Sequence, residues 1–99
     1  MQPDAVRLDE AGGRIADRFS ARDVHLVMAP PAAPVRFSVR LDGAPPGVDH
    51  GDDVDDDGAG TVTEPRLYQL VRQRGPVTER TFEITLHAPG VRAFAFTFG

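Results

Sequence analysis

Val35-Arg36-Phe37-Ser38-Val39-Arg40-Leu41 is the stretch that decides the fold class. Val35, Phe37, Val39 and Leu41 fall on one side of an extended chain, and Arg36, Ser38 and Arg40 on the other. Side chains alternate across a strand with period two, so this run reads as a half-buried β-strand. The pattern returns in Thr81-Phe82-Glu83-Ile84-Thr85-Leu86, with Phe82, Ile84 and Leu86 inward. It returns again from Val91 to Phe98, where Phe94, Phe96 and Phe98 share a face. A hairpin between 80–88 and 91–98 would lay both apolar faces on one core. Val24-His25-Leu26-Val27-Met28, interrupted only by His25, reads as a strand buried on both faces or nearly so. Leu67-Tyr68-Gln69-Leu70-Val71 is a further strand, and Ala5-Val6-Arg7-Leu8 a short one. Arg14 to Phe19 leaves a short strand and a single helical turn open, because Ile15 and Phe19 stand four residues apart.

Turn chemistry separates these runs. Pro30, Pro31 and Pro34 end one strand, since proline cannot donate to a ladder. Asp42-Gly43, Arg74-Gly75-Pro76 and His87-Ala88-Pro89-Gly90 mark further turns. Nine Pro and ten Gly cut the chain into pieces too short for long helices. The expected architecture is all-β: about six to eight short antiparallel strands in a sandwich or barrel with one wet side to each sheet. Ninety-nine residues fit one domain, 1–99, with 1–4 as a frayed end.

Composition removes several function classes. The chain has no Cys, so disulfides, thiol catalysis and thiolate metal sites are excluded. All eleven basic residues are Arg, which excludes a Schiff-base lysine. No apolar run approaches a membrane span, no signal-peptide pattern opens the chain, and the compartment stays unassigned. The net charge of −4 is local: residues 48–58 hold six Asp and no basic residue, which leaves +2 for the remainder. Such a chain is a poor partner for nucleic acid.

The acidity peaks in a loop at 48–64, within which Asp53-Val54-Asp55-Asp56-Asp57-Gly58-Ala59-Gly60-Thr61-Val62-Thr63-Glu64 has the spacing of a calcium loop. Calcium wants six to eight oxygens. Asp53, Asp55 and Asp57 would take the first, third and fifth positions. The Ala59 carbonyl, Thr61 and the bidentate Glu64 would supply the rest, with Gly58 permitting the sharp turn. Prolines at 45, 46 and 65 replace the flanking helices of an EF-hand, so the expectation is an inter-strand loop. The alternative is an exposed Asp-rich turn without metal.

Leu41-Asp42-Gly43, Asp53-Val54-Asp55-x-Asp57-Gly58, Arg66-Leu67-Tyr68-Gln69-Leu70-Val71-Arg72-Gln73, and the ending from Pro89-Gly90 to Phe96-Thr97-Phe98-Gly99 together resemble a known module. It is similar to the C-terminal domain that follows the thioredoxin domain in DipZ-type cytochrome c biogenesis and related thioredoxin-like proteins. The resemblance covers roughly residues 20–99. It implies a carbohydrate-binding-module-like jelly-roll fold and an accessory rather than a redox role. It also implies carbohydrate or a thioredoxin-like domain as partner, and relatives often found outside the cytoplasm. It supplies no catalytic residue, and the thioredoxin Cys pair is absent from this sequence.

Apart from the loop, the residues themselves offer one further candidate. Arg36 and Arg40 project from the wet face of their strand and, with Tyr68 and Arg72 on a neighbouring strand, would make a sugar- or carboxylate-binding face. Against strong sugar binding stand the lack of Trp and the single Tyr. The alternative is that the Arg side chains cover the sheet and pair with Glu83. His25, His50 and His87 are scattered, and neither Ser20 nor Ser38 has a nucleophile-elbow setting, so no enzyme is expected.

Overall fold

The computed structural model describes residues 6–8, as backbone, and 13–99. In it the chain forms eight strands: β1 (Val6–Leu8), β2 (Gly13–Phe19), β3 (Asp23–Ala29), β4 (Val35–Leu41), β5 (Ala59–Val62), β6 (Arg66–Arg72), β7 (Arg80–Leu86) and β8 (Val91–Phe98). A 3-10 turn, Gly47–Asp49, interrupts the long β4–β5 connection. The strands make two antiparallel four-stranded sheets, ordered β1-β8-β3-β6 and β2-β7-β4-β5. The pairs β4–β5, β3–β6, β2–β7 and β1–β8 are nested one outside the next, which is the jelly-roll sandwich.

The alternating runs explain where the core sits. Val35, Phe37, Val39 and Leu41 of β4 are all buried, as are Phe82, Ile84 and Leu86 of β7. Val24, Leu26 and Met28 of β3 meet them from the first sheet, with Tyr68, Leu70, Val71, Val91 and Ala93. Two edge-to-face aromatic pairs join the layers: Phe37 with Tyr68, centroids 6.4 Å apart, and Phe82 with Phe96 at 5.8 Å. Each such pair contributes about 0.5–1.5 kcal/mol beyond the area it buries.

One open choice is settled and three sequence expectations are changed. Of the strand and the helical turn left open at Arg14 to Phe19, the strand forms, because β2 pairs with β7 along its whole length. β3 is fully buried on one face only; His25 and Val27 point outward and are half-exposed. β7 and β8 do not form a hairpin. The turn at 87–90 carries the chain from one sheet to the other, and the two apolar faces meet across the sandwich. Finally, Phe94 does not share a face with Phe96 and Phe98. The β3–β8 register steps from Val27↔Ala95 to Met28↔Ala93, so Phe94 is the extra residue of a bulge. A bulge shifts alternation by one, which is why Val91 and Ala93 precede it inward and Phe96 follows it inward.

Candidate functional site

The acidic loop is organised by its own hydrogen bonds. Asp55 Oδ1 accepts the amides of Asp57 and Ala59, and Asp55 N–H in turn donates to the Ala59 carbonyl. Gly58, at φ +87°, donates to the Asp55 carbonyl and offers its own to Val39. Asp53 leaves this turn and reaches β6. Its Oδ1 lies 2.7 Å from an Arg66 nitrogen and its Oδ2 accepts Gln69 N–H at 2.7 Å. Burial opposes the Asp53 charge, but the Arg66 and Gln69 hydrogen bonds outweigh it and hold the carboxyl below the usual range. The Asp53 hydrogen bond, with the nearby charge, raises the Arg66 guanidinium in return.

The segment Gly51–Asp53 therefore lies along the outer edge of β6. Gly51 N–H donates to Leu70, Asp53 N–H donates to Gln69, and His50 bridges to Val71. An open edge strand is a template for pairing with other chains, and this loop covers it. Gly51 is required by the closeness: a Cβ there would stand 2.4 Å from the Gln69 carbonyl oxygen.

The calcium ligand set read from the sequence is divided by this arrangement. Asp53 is turned to Arg66 and Gln69, Glu64 lies 3.6 Å from Arg66, and Thr61 stands in β5 opposite Arg36. The Ala59 carbonyl is engaged by Asp55 N–H. Among the described residues the acidic side chains that gather are Asp55, Asp56 and Asp57, all exposed. These three are not a closed cage, and the residues present do not converge as the loop spacing alone would have them.

The second candidate is also split. Arg36 and Arg40 are on β4 of the second sheet, whereas Tyr68 and Arg72 are on β6 of the first. Tyr68 is fully buried. Its hydroxyl donates to the Glu64 carbonyl at 2.6 Å and accepts the amides of Thr63 and Glu64, in the manner of a tyrosine corner. The guanidinium of Arg66 lies 3.9 Å over its ring. Tyr68 thus fixes the β5–β6 crossover and offers no ring to a sugar. Arg72 is exposed at the end of β6, 4.0 Å from Asp23.

On the second sheet a polar surface remains. Arg36 stands opposite Thr61, Ser38 opposite Ala59 and Thr85, and Arg40 opposite Glu83. Glu83 is taken by Arg14 at 2.9 Å. Among the described residues neither Arg36 nor Arg40 has a carboxylate within 4 Å; Arg40 donates to the Gly43 carbonyl. Sequence reading missed one pair: Ser38 Oγ and His87 Nε2 are 2.7 Å apart. The signal was the His87 position at the end of β7, whose amide continues the ladder to the Arg36 carbonyl. Arg36, Phe37, Ser38, Ala59 and His87 line a shallow pocket of about 280 Å³.

With that geometry established, the sequence matches the thioredoxin-like C-terminal domain over residues 1–99. The chain belongs to this family. Among solved structures it is similar to a family two carbohydrate esterase from Clostridium thermocellum in complex with cellohexaose. The TM-score is 0.69 at 13% identity, over 94% of this chain and 26% of that one. An active-site mutant of a family two carbohydrate esterase from the same organism gives 0.68 at 13% identity, with the same coverage. This thioredoxin-like C-terminal domain therefore spans about a quarter of those chains, and the likeness establishes the sandwich fold. A comparison with curated proteins finds no match. No helix among the described residues is long and apolar enough to cross a membrane.

Proposed function

We propose that this domain is a non-catalytic accessory module that binds carbohydrate across the outer face of its second sheet. The observation that carries the reading is the open row Arg36, Ser38 and Arg40 on β4, flanked by His87, on a sandwich that resembles part of a protein solved with cellohexaose. Ser38 and His87 supply hydroxyl and imidazole groups to sugar hydroxyls. Among the described residues no carboxylate hydrogen-bonds His87, so the pair lacks the orienting third member of an acyl-transfer triad. The test is a panel of soluble oligosaccharides followed by calorimetry, with Arg36→Ala and Arg40→Ala. Saturable binding that both substitutions weaken is expected, and a blank panel rejects the reading.

A second reading is favoured by the first sheet. Its outer face carries Leu67, 39% exposed, in register with Val27 and Ala95. This face would dock a thioredoxin-like domain, the partner that the family name implies. Chemical-shift changes on adding such a domain, lost in Leu67→Glu, are the expected result; unchanged spectra reject it.

In both readings the acidic loop is structural. Asp53 acts through Arg66 and Gln69 rather than through a calcium ion. A calcium-dependent rise in melting temperature that Asp53→Ala abolishes would restore the metal.

A further inference from the structure

We infer that the occupant of the second-sheet face is an acidic oligosaccharide, one bearing carboxylate or sulfate groups; this rests on the carbohydrate-binding reading above. Four guanidiniums, Arg14, Arg18, Arg36 and Arg40, share that face with one strand carboxylate, Glu83. Glu83 is already paired with Arg14, which leaves Arg36 and Arg40 without an acidic partner among the described residues. Arg18, at the end of β2, is paired with Glu79 at 3.2 Å and does not add to this pair. Of the loop's other carboxylates, Asp55, Asp56 and Asp57 precede Gly58, whose carbonyl accepts the Val39 amide of β4, yet among the described residues none comes within 4 Å of the Arg36 or Arg40 guanidinium.

A neutral sugar gains much of its affinity by stacking on an exposed aromatic ring. This face has none: Phe37 and Phe82 point into the core and are 1% exposed. The groups that do face outward are guanidiniums, hydroxyls and an imidazole. An Arg fork matches carboxylate or sulfate oxygens through two parallel N–H donors, and such charge-assisted bonds are about twice as strong as neutral ones. Arg36 and Arg40 are four residues apart on one strand, which separates them by about 13 Å. That is wider than one pyranose ring, so the two cations engage separate, non-adjacent charged units of one chain. The Arg36–Ser38–His87 pocket takes one acid group, with Ser38 Oγ and the imidazole beside it for the neighbouring hydroxyls.

The experiment is calorimetry on the whole domain with four probes. They are a hexagalacturonate (carboxylate only), a sulfated carrageenan hexasaccharide (sulfate only), cellohexaose (neutral) and a short single-stranded DNA. Expected is binding of one or both acidic sugars at least about tenfold tighter than cellohexaose, weakening as salt is raised. Arg36→Ala and Arg40→Ala each reduce that affinity by about tenfold. Arg92→Ala, which removes the same charge from the first sheet, leaves it unchanged. The carboxylate and sulfate arms distinguish the two sources of acid. Equal affinity for cellohexaose overturns the inference while sparing the carbohydrate reading. Equal binding of DNA overturns it in favour of a general polyanion surface. Binding of none of the sugars overturns both. Circular dichroism of each variant excludes unfolding as the cause.

Discussion

Replacing Asp53 with Ala removes two short contacts at once. The Arg66 ion pair at 2.7 Å is lost, and so is the acceptor of the Gln69 amide. The Asp53 side chain is 18% exposed and that of Arg66 38%, so solvent screens the ion pair while the amide bond is better protected. A hydrogen bond to a charged group contributes about 1.5–3 kcal/mol. A partly exposed ion pair adds at most about 1 kcal/mol. The expected loss is therefore about 2–3 kcal/mol. In a domain of this size, each kcal/mol moves the melting temperature by about 4–8 °C, so a fall of roughly 10–20 °C should follow. Urea unfolding read by the fluorescence of the single tyrosine, Tyr68, measures the free energy directly. Amide exchange at Gln69 reports the local opening. A loss below about 0.5 kcal/mol, the range of an ordinary surface substitution, would refute the idea that Asp53 ties the loop to the sheet edge. The measurement is repeated with calcium, because a stabilisation by calcium that disappears in the variant would mean that Asp53 serves a metal instead.

Four other outcomes follow from the structure. Tyr68→Phe keeps the buried ring but frees the Thr63 and Glu64 amides and the Glu64 carbonyl; a loss of about 1–2 kcal/mol with an unchanged denaturant slope is expected. Gly58→Ala brings a Cβ within 2.2 Å of the Val39 carbonyl at φ +87° and should cost more than about 2 kcal/mol. Gly75→Ala meets nothing within 4 Å and should be neutral or slightly stabilising by thermal melt. The Asp53 carboxyl titrates lower in the folded state than its unfolded value of about 3.9, so the folded protein binds fewer protons in that range. Its contribution is present above that value and is lost as pH falls through the folded pKa. The stability gap between the wild type and Asp53→Asn should therefore shrink on acidification below about pH 4, and a gap that stays constant to low pH would contradict the linkage.

Fold and site were legible to different degrees. Period-two alternation marked β4 and β7 correctly because each has one dry and one wet face, so burial and sequence pattern coincide. It failed at β8 because the bulge at Phe94 is set by pairing with β3, which no local pattern records. The supposed β7–β8 hairpin failed for a related reason. A short turn joins sheets as readily as neighbours, and only the nested pairing decides which. At the site, Arg36 and Arg40 were readable as outward on one strand. Their grouping with Tyr68 was not, because the tyrosine is consumed by the Thr63–Glu64 corner just upstream of it. The Asp53 spacing matched a calcium loop, yet its carboxylate answers to Arg66 and to a backbone amide sixteen residues away. The Ser38–His87 pair joins β4 to the residue that follows β7, and its one signal, the position of His87 there, does not name Ser38 as the partner.

The nesting of the strand pairs also orders events in time. The gap between partners widens from Ser38↔Ala59, through Val24↔Val71 and Gly13↔Leu86, to Val6↔Ala93. Closing each outer loop is cheap only after the inner one has formed, so the chain zips outward from the β4–β5 connection, at the slow rates of non-local all-β topologies. The acidic segment sits at the seed of that zipper. Mutual repulsion of Asp52, Asp55, Asp56 and Asp57 opposes the first closure, and Arg66 of β6 anchors the segment through Asp53 only when the next pair outward has formed. Refolding should accordingly quicken as salt screens the carboxylates, while Asp53→Ala, which breaks a contact made later, should act mainly by speeding unfolding; stopped-flow traces of Tyr68 emission would show it.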